Sequence, residues 1–249
     1  MPRFFLEVSY KGTMYSGFQS QKNANSIQQE VEKAFEILQR QKVVMTGSSR
    51  TDAGVHALQN FFHFDYNDPV HAEFVYKINA ILPRDIVVRS IQQVDSEAHC
   101  RFDATGREYR YYIYRRKNPF LQDRAFYFPY KLNVDRMMQA AALVMEYDDF
   151  TSFSKRNTQV KSFHCSIEVS EWVWEGDCLV YHVKGNRFLR GMVRALTATM
   201  LKVGREKLTL AELAAIIEAK DCTRASFAVP AHGLFLTGVQ YPVQVVKAI

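Results

Sequence analysis

Several features that would point to a location or a cofactor are missing from this 249-residue sequence. No stretch approaches the roughly 18 consecutive apolar residues that a membrane-spanning helix needs, and the start has no apolar segment of a secretory signal. The four cysteines are scattered, without a Cys-x-x-Cys pair or a partner cluster of histidines, at Cys100, Cys165, Cys178 and Cys222. This spacing argues against a metal site and predicts reduced, buried thiols in a cytoplasmic protein.

The charge of the chain is unevenly distributed. Apolar residues make up 47% and charged residues 23%, values that are ordinary for a soluble globular protein. Residues 1–105 contain 11 basic and 12 acidic side chains, whereas residues 106–249 contain 21 and 14, so most of the net charge of +6 lies in the second part. A basic half indicates a polyanionic partner such as nucleic acid, although simple solubility would produce the same excess.

Hydrophobic periodicity predicts a mixture of strands and helices along the whole chain. A capping box at Ser26 and Gln29 and another at Thr209 and Glu212 mark two helix starts. Strands are predicted at 4–10, 43–45, 60–64, 86–94, 109–114, 167–174, 179–183 and 232–239, and helices at 27–40, 74–82, 134–145, 186–204 and 210–220. No repeat, low-complexity stretch or flexible linker separates the two parts, and each part contains both strands and helices, as in an α+β fold.

A loop rich in small residues, 47–56, contains the most reactive combination of side chains. Asp52 follows Arg50 closely, and glycines on both sides allow a tight turn and the close approach of a ligand. An aspartate beside a positive charge is a candidate nucleophile or base. A structural Asx turn explains the same residues. Gly54 and the strand that follows argue against a helix here, so Asp52 and His56 are not expected to share a face, and His56 is predicted to be a hydrogen-bonded structural histidine.

Two further stretches combine basic residues with a regular pattern. In the strand at 109–114, tyrosines lie on both faces and Arg110 shares one face with two of them. This arrangement suits stacking on RNA bases and contact with phosphates, or simply a basic solvent face. In the predicted helix at 186–204, Arg187, Arg190 and Arg194 fall within about 60° of each other at 100° per residue, opposite an apolar face. Such a stripe of arginines most often forms a charged face exposed to solvent.

Four segments resemble the motifs of one enzyme family in the same order. Residues 50–57, Arg-Thr-Asp-Ala-Gly-Val-His-Ala, are similar to the active-site signature of the TruA family of tRNA pseudouridine synthases. Tyr109-Arg110-Tyr111, the run from Asn186 to Arg194, and 233–236 resemble further motifs of that family. The similarity extends over nearly the full length.

The resemblance implies a role for each matching residue. Asp52 takes the place of the catalytic nucleophile, Arg194 that of its ion-pair partner, and Tyr109 that of the ring that packs on the target uracil. Arg50 matches the arginine that helps to extrude the target base, and Leu234 the side chain that lines the uracil pocket. The remaining substrate-binding residues are expected to be Arg187, Arg190 and Arg110.

The family also implies an architecture, partners and a substrate. Two ferredoxin-like halves, 1–105 with the catalytic loop and 106–249 with the basic helix, are expected to join into one mixed, mainly antiparallel sheet. Helices would pack on one face, and an RNA-binding cleft would lie between the halves. The implied protein is a cytoplasmic homodimer that needs no metal or cofactor, contacts no membrane and modifies uridines 38, 39 and/or 40 of the tRNA anticodon stem-loop.

This sequence departs from the family pattern at a few positions. Ser49 and Gln59 stand where glycines are usual, and Phe18 and Ser20 stand where tryptophan and arginine are usual. A serine at position 49 is expected to narrow the backbone conformations open to the loop.

Two alternatives from other functional classes remain. A noncatalytic tRNA-binding module or tRNA chaperone would predict loss of Asp52 or Arg194, and both are present. A hydrolase that used Asp52 as its nucleophile would need a general base and a positioned water, and no second carboxylate lies near Asp52 in the sequence.

Overall fold

The computed structural model describes residues 1–156, 160–243 and 245. Contacts divide the chain into two compact units: Met1–Gly106 with the described residues from Phe235 onward, and Arg107–Leu234. The predicted halves, 1–105 and 106–249, differ from these units at the C-terminal strand, which the prediction assigns to the second half. The physical reason is that His56 and Ala57 pair with Phe235 and Leu236, which ties this strand to the first unit.

The first unit is a sheet with two helices. Strand β1 is central, with β4 and β3 antiparallel on its two sides, β2 antiparallel to β3, and β9 parallel to β3. The bounds are β1 Arg3–Tyr10, α1 Ile27–Gln39, β2 Thr46–Gly47, β3 His56–Asp65, α2 Phe74–Ile81, β4 Ile86–Val94 and β9 Leu234–Gln240.

Helix α1 follows from local sequence and packs through aromatic rings. The Ser26 hydroxyl accepts a hydrogen bond from the Gln29 N–H at 3.3 Å, which is one of the two hydrogen bonds of the predicted capping box. Phe35 on the buried face of α1 meets Phe64 of β3 edge to face, with ring centroids 5.0 Å apart. The first unit therefore has an aromatic core between helix and sheet.

The second unit repeats the mixture of strands and helices. Its strands run in the order β5–β8–β7, all antiparallel, with β6 parallel to β5, and α3 contacts β7, α4 and α5. The bounds are β5 Gly106–Tyr114, β6 Phe126–Tyr127, α3 Val134–Val144, β7 Ile167–Glu175, β8 Cys178–Gly185, α4 Met192–Gly204 and α5 Leu210–Glu218. Because antiparallel pairs predominate in both units, the predicted mixed, mainly antiparallel α+β class is confirmed.

Two predicted strand positions near the small-residue loop were wrong. No strand covers 43–45; the chain pairs only at Thr46 and Gly47, and Val44 is largely exposed. Strand β3 begins at His56, four residues before the predicted start, because its first two residues pair with β9.

The predicted start of the fourth helix, and with it the arginine stripe, was also wrong. Helix α4 begins at Met192, directly after Gly191, whose φ of +77° lies in the left-handed region and cannot continue a helix backward. Arg187 and Arg190 therefore precede the helix, and only Arg194 lies on it. Nearly all of α4 is buried, so it is a core helix rather than an amphipathic one.

No helix among the described residues has the length and apolar character to span a membrane. All four cysteines are free thiols; Cys100, Cys165 and Cys178 are buried as predicted, whereas Cys222 is only partly buried.

Candidate active site

The loop that carries Asp52 is held firmly on both sides of Arg50. Ser49 and Thr51 are buried, at 7% and 8% exposure, whereas Arg50 is exposed and Asp52 is partly exposed. The Asp52 carbonyl accepts a hydrogen bond from the Val55 N–H at 3.1 Å, which closes a turn that continues through Gly54 at φ +79°. The backbone is thus buried while the Arg50 and Asp52 side chains keep access to solvent.

A buried asparagine on β3 holds the start of this loop. The Asn60 Oδ1 accepts from the Ser49 N–H at 3.2 Å, and its Nδ2 donates to the Ser49 carbonyl at 2.8 Å. The same Nδ2 donates to the Tyr10 hydroxyl at 3.1 Å, and that hydroxyl shares a 2.8 Å hydrogen bond with Thr51 Oγ1. Residues on both sides of Arg50 are therefore linked to the sheet.

The segment after β1 packs so closely against the same loop that backbone atoms of the two segments are in contact. The Phe18 N–H donates to the Thr51 carbonyl at 3.1 Å, and a side chain at Gly12 would overlap the carbonyl oxygen of Val55. His56 accepts from the Gly12 N–H at 3.1 Å and is 1% exposed. The interpretation of His56 as a hydrogen-bonded structural residue is thereby confirmed.

In the second unit, Arg194 is bound to a neighbouring turn. Its Nε and Nη2 donate to the Val229 carbonyl at 3.1 and 2.7 Å, so one backbone oxygen fixes the orientation of the guanidinium plane. Because Arg194 lies in the first turn of the buried helix α4, its backbone is also fixed. A guanidinium held in this way is suited to meet a carboxylate or phosphate in a defined geometry.

Within the second unit, Tyr111 of β5 contacts the segment that directly precedes Leu234. The Tyr111 hydroxyl donates to the Pro230 carbonyl at 2.8 Å, and Gly233 leaves room for the Tyr111 ring, which a Cβ would meet at 2.7 Å. Burial raises the pKa of Tyr111, so its hydroxyl stays a donor. Two residues earlier on β5, Tyr109 meets Phe188 edge to face with ring centroids 5.1 Å apart.

The other predicted substrate-binding arginines differ in their environments. Arg110 forms ion pairs with Glu175 and, at 3.9 Å, with Glu108, so its guanidinium is occupied by carboxylates of its own sheet. Arg187 is partly exposed and Arg190 is exposed, both in the turn before α4.

A cavity of about 710 Å³ adjoins Arg194 within the second unit. Aromatic and apolar side chains dominate its wall, and neither Tyr109 nor Leu234 contributes to it. Besides Arg194, its lining includes Phe126, Tyr127, Phe227, Val229 and His232. In the part of the chain that the structure describes, no group of three or more His, Cys, Asp or Glu side chains is arranged to hold a metal ion.

The positions where glycines are usual in the resembling family are accommodated without strain. Ser49 has no left-handed backbone, so a serine fits there without backbone strain, although its Oγ is buried without a hydrogen-bond partner among the described residues. The Gln59 amide donates to Glu7 Oε1 and accepts from the Val239 N–H, both at 3.0 Å. Gln59 therefore links β1, β3 and β9.

Sequence reasoning missed Asn60 and Tyr10 as parts of this site. An asparagine beside the aromatic run Phe61-Phe62-His63-Phe64 is unusual in a strand and signals a buried amide with specific partners. Tyr10 carries no such signal, because its place in the alternating pattern of β1 accounts for its burial.

Comparison with known proteins agrees with the motifs. The family model described as tRNA pseudouridine synthase matches residues 7–103 and 141–242. The chain is 44% identical over 245 residues to a tRNA pseudouridine synthase A of Parabacteroides distasonis, covering 97% of each chain. It is 43% identical to that of Porphyromonas gingivalis, covering 97% of this chain and 98% of the relative, and 37% identical to that of Staphylococcus aureus, covering 94% and 90%.

These matches cover both units and include the loop around Asp52 and the start of helix α4 with Arg194. The chain therefore belongs to the tRNA pseudouridine synthase family, and it is an isomerase that converts uridine to pseudouridine in tRNA.

Proposed function

We propose that this isomerase acts on uridines 38, 39 and/or 40 of the tRNA anticodon stem-loop, with Asp52 as the catalytic carboxylate. The observation that carries the proposal is the construction of the loop at 49–52. Its backbone is buried and hydrogen-bonded on both sides of Arg50, while the Asp52 side chain keeps partial exposure. A rigid loop that presents one carboxylate is what a substrate-directed nucleophile requires.

The roles of the other residues follow from their chemistry. Arg194, whose orientation Val229 fixes, would pair with the Asp52 carboxylate and keep it ionised in a dry pocket. Tyr109 would pack on the target uracil, with Leu234 as a further wall of the uracil pocket. Arg50, exposed beside the nucleophile, would help to draw the base out of the stem, an extrusion that costs a few kcal/mol.

The proposed reaction needs only these groups. The bond from C1′ to uracil N1 breaks, the base rotates, and C1′ joins C5; the hydrogen on C5 leaves as a proton and N1 gains one. Substrate and product are isomers, so no oxidant, water or imported group enters the balance. The carboxylate of Asp52 would act at the base or the sugar while the two are separated.

The wider setting is also part of the proposal. Both units would contribute residues to RNA binding in a cytoplasmic homodimer. Arg187, Arg190 and Arg110 would add contacts with tRNA, and Arg110 would first have to leave Glu175 and Glu108.

Tritium release from tRNA labelled at uridine C5 tests the role of Asp52, because joining C5 to C1′ expels that hydrogen. We expect release by the wild type and none by Asp52→Asn, with tRNA binding retained by both. Asp68→Asn makes the same chemical change at an exposed position of the first unit and should keep full activity. Release by Asp52→Asn at the wild-type rate would refute the assignment.

The positions are tested with tRNA transcripts that keep uridine at only one of 38, 39 and 40. Release from at least one of these transcripts, and none from a transcript that lacks all three, is the expected result. Tight binding to all four without release would instead favour a noncatalytic tRNA-binding module.

A further inference from the structure

We infer that Tyr10 and Asn60 are positioning residues for the reaction: their buried polar groups set the backbone from which Asp52 projects. This inference rests on the proposed role of Asp52. Neither side chain needs to touch the substrate, because both act through the residues that flank Arg50.

Asn60 is fully used as a hydrogen-bonding group. Its Oδ1 accepts from the N–H groups of Ser49 and Phe61 at 3.2 and 2.9 Å, and its Nδ2 donates to the Ser49 carbonyl and the Tyr10 hydroxyl. The side chain is 0% exposed. An amide that satisfies both backbone groups of one loop residue fixes the orientation of that residue, and leaving such partners unpaired would be costly.

Tyr10 carries the connection across Arg50. Its ring is buried at 5% exposure and lies 5.7 Å from the Phe18 ring, so packing holds the hydroxyl in place. That hydroxyl connects Asn60 to Thr51 Oγ1, and Thr51 directly precedes Asp52. The network thus fixes residues 49 and 51, one on each side of the exposed Arg50 and next to the proposed nucleophile.

This arrangement matters for catalysis because displacing a nucleophile by about 1 Å can lower the reaction rate on the order of 100-fold. Strand pairing alone would require neither group, since an apolar side chain at position 60 and a phenylalanine at position 10 would fill the same core positions. We therefore assign the Asn60 amide and the Tyr10 hydroxyl to holding the loop in place.

Tyr10→Phe and Thr51→Val remove the two hydroxyls while keeping the size of each side chain close to that of the wild type. We expect each to lower kcat for tritium release roughly 10- to 100-fold, with KM and tRNA affinity within about twofold of the wild type. The double variant should lose little more than either single variant, because the hydroxyls act as one unit. Thr51→Ser, which keeps the hydroxyl, should retain most of the activity.

A matched control lies in the second unit. Tyr181 shares a buried 2.9 Å hydroxyl–hydroxyl hydrogen bond with Ser170, as Tyr10 does with Thr51 at 2.8 Å. Tyr181→Phe should lower thermal stability by an amount similar to Tyr10→Phe while leaving kcat unchanged. Hydrogen exchange of the peptide that spans 47–55 should accelerate in Tyr10→Phe and stay at the wild-type rate in Tyr181→Phe.

The outcomes separate this inference from the proposed function. Wild-type release, its loss in Asp52→Asn and an unchanged kcat in Tyr10→Phe would overturn the positioning role and leave the role of Asp52 intact. Full activity of Asp52→Asn would instead refute the proposed role of Asp52, and with it the positioning role of Tyr10 and Asn60. Equal losses of kcat in Tyr10→Phe and Tyr181→Phe would show a general effect of stability and would also refute the inference.

Discussion

His63 shows how a single buried residue makes the stability of this protein depend on pH. It lies on β3 at 7% exposure, with its Nδ1 3.2 Å from Cys100 Sγ. Burial, together with the nearby His99 and Arg3, lowers the pKa of His63 from 6.5 to about 4. The folded protein therefore holds His63 neutral at pH values where the unfolded chain would protonate it.

The sign of the pH effect follows from proton binding. Between pH 6.5 and 4 the unfolded state binds more protons, so the free energy of unfolding should fall as the pH is lowered through this window, by about 3 kcal/mol in total from His63. The free energy of unfolding, measured by urea unfolding at several pH values, should change less steeply with pH in His63→Gln than in the wild type. Equal slopes would contradict this account.

The control for this experiment is His71→Gln, the same substitution at an exposed position. A residual slope in His63→Gln is expected, because burial also lowers the pKa values of His99 and His232.

At the scale of the secondary-structure element, two glycines are required for different physical reasons. Gly12, in a short 3-10 helix at Gly12–Met14, lies where any side chain would overlap the Val55 carbonyl oxygen. Gly176, in the turn between β7 and β8, has φ +56° and nothing within 4 Å of a Cβ. The first glycine is required for space and the second for its backbone conformation.

Alanine at these two glycines should therefore have different consequences. Gly12→Ala should cost about 1–3 kcal/mol of stability and lower activity, because the displaced Val55 lies in the loop of Asp52. Gly176→Ala should cost about 1–2 kcal/mol and leave kcat unchanged, and Gly176→Asn should cost less, since asparagine tolerates the left-handed region. Thermal melts and tritium-release rates measure both effects. An unchanged kcat in Gly12→Ala would show that the 3-10 helix does not constrain the loop.

At the scale of the whole molecule, the excess of positive charge belongs to one unit. Residues 107–234 contain 20 basic and 14 acidic side chains, whereas the rest of the chain contains 12 of each. Three of the basic residues, Arg115, Arg116 and Lys117, follow β5 consecutively, and all are exposed. Such a cluster is suited to neutralise phosphates and release counterions on binding RNA.

Replacing this cluster should change the salt dependence of tRNA binding. With Arg115, Arg116 and Lys117 changed to glutamine, we expect the slope of log affinity against log salt concentration to become shallower by about 2–3. Lys22, Lys33 and Lys42, three exposed lysines of the first unit, give a control with the same change in charge and a smaller effect on the slope. Filter binding at several salt concentrations distinguishes the two variants. If the two triple variants had equal salt-dependence slopes, only the net charge of the protein, and not the position of this cluster, would matter for tRNA binding.

The sequence by itself determined the elements whose signals are local, and the family. The Thr209–Glu212 capping box is present as predicted, because both of its hydrogen bonds join residues three positions apart. The consecutive motif at 50–57 sufficed to identify the family, since a contiguous string needs no knowledge of the fold.

Only the tertiary structure decided how the loop of Asp52 is held and where α4 begins. Asn60 and Tyr10 are 50 residues apart in the chain, and Arg110 and Glu175 are 65 apart, so neither contact has a signal in a local window. The periodicity before Gly191 fits a helix, but the apolar residues there pack without one once the glycine turns the backbone to a positive φ. Periodicity reports which residues are buried, whereas the contacts between distant segments determine how they are buried and what they hold in place.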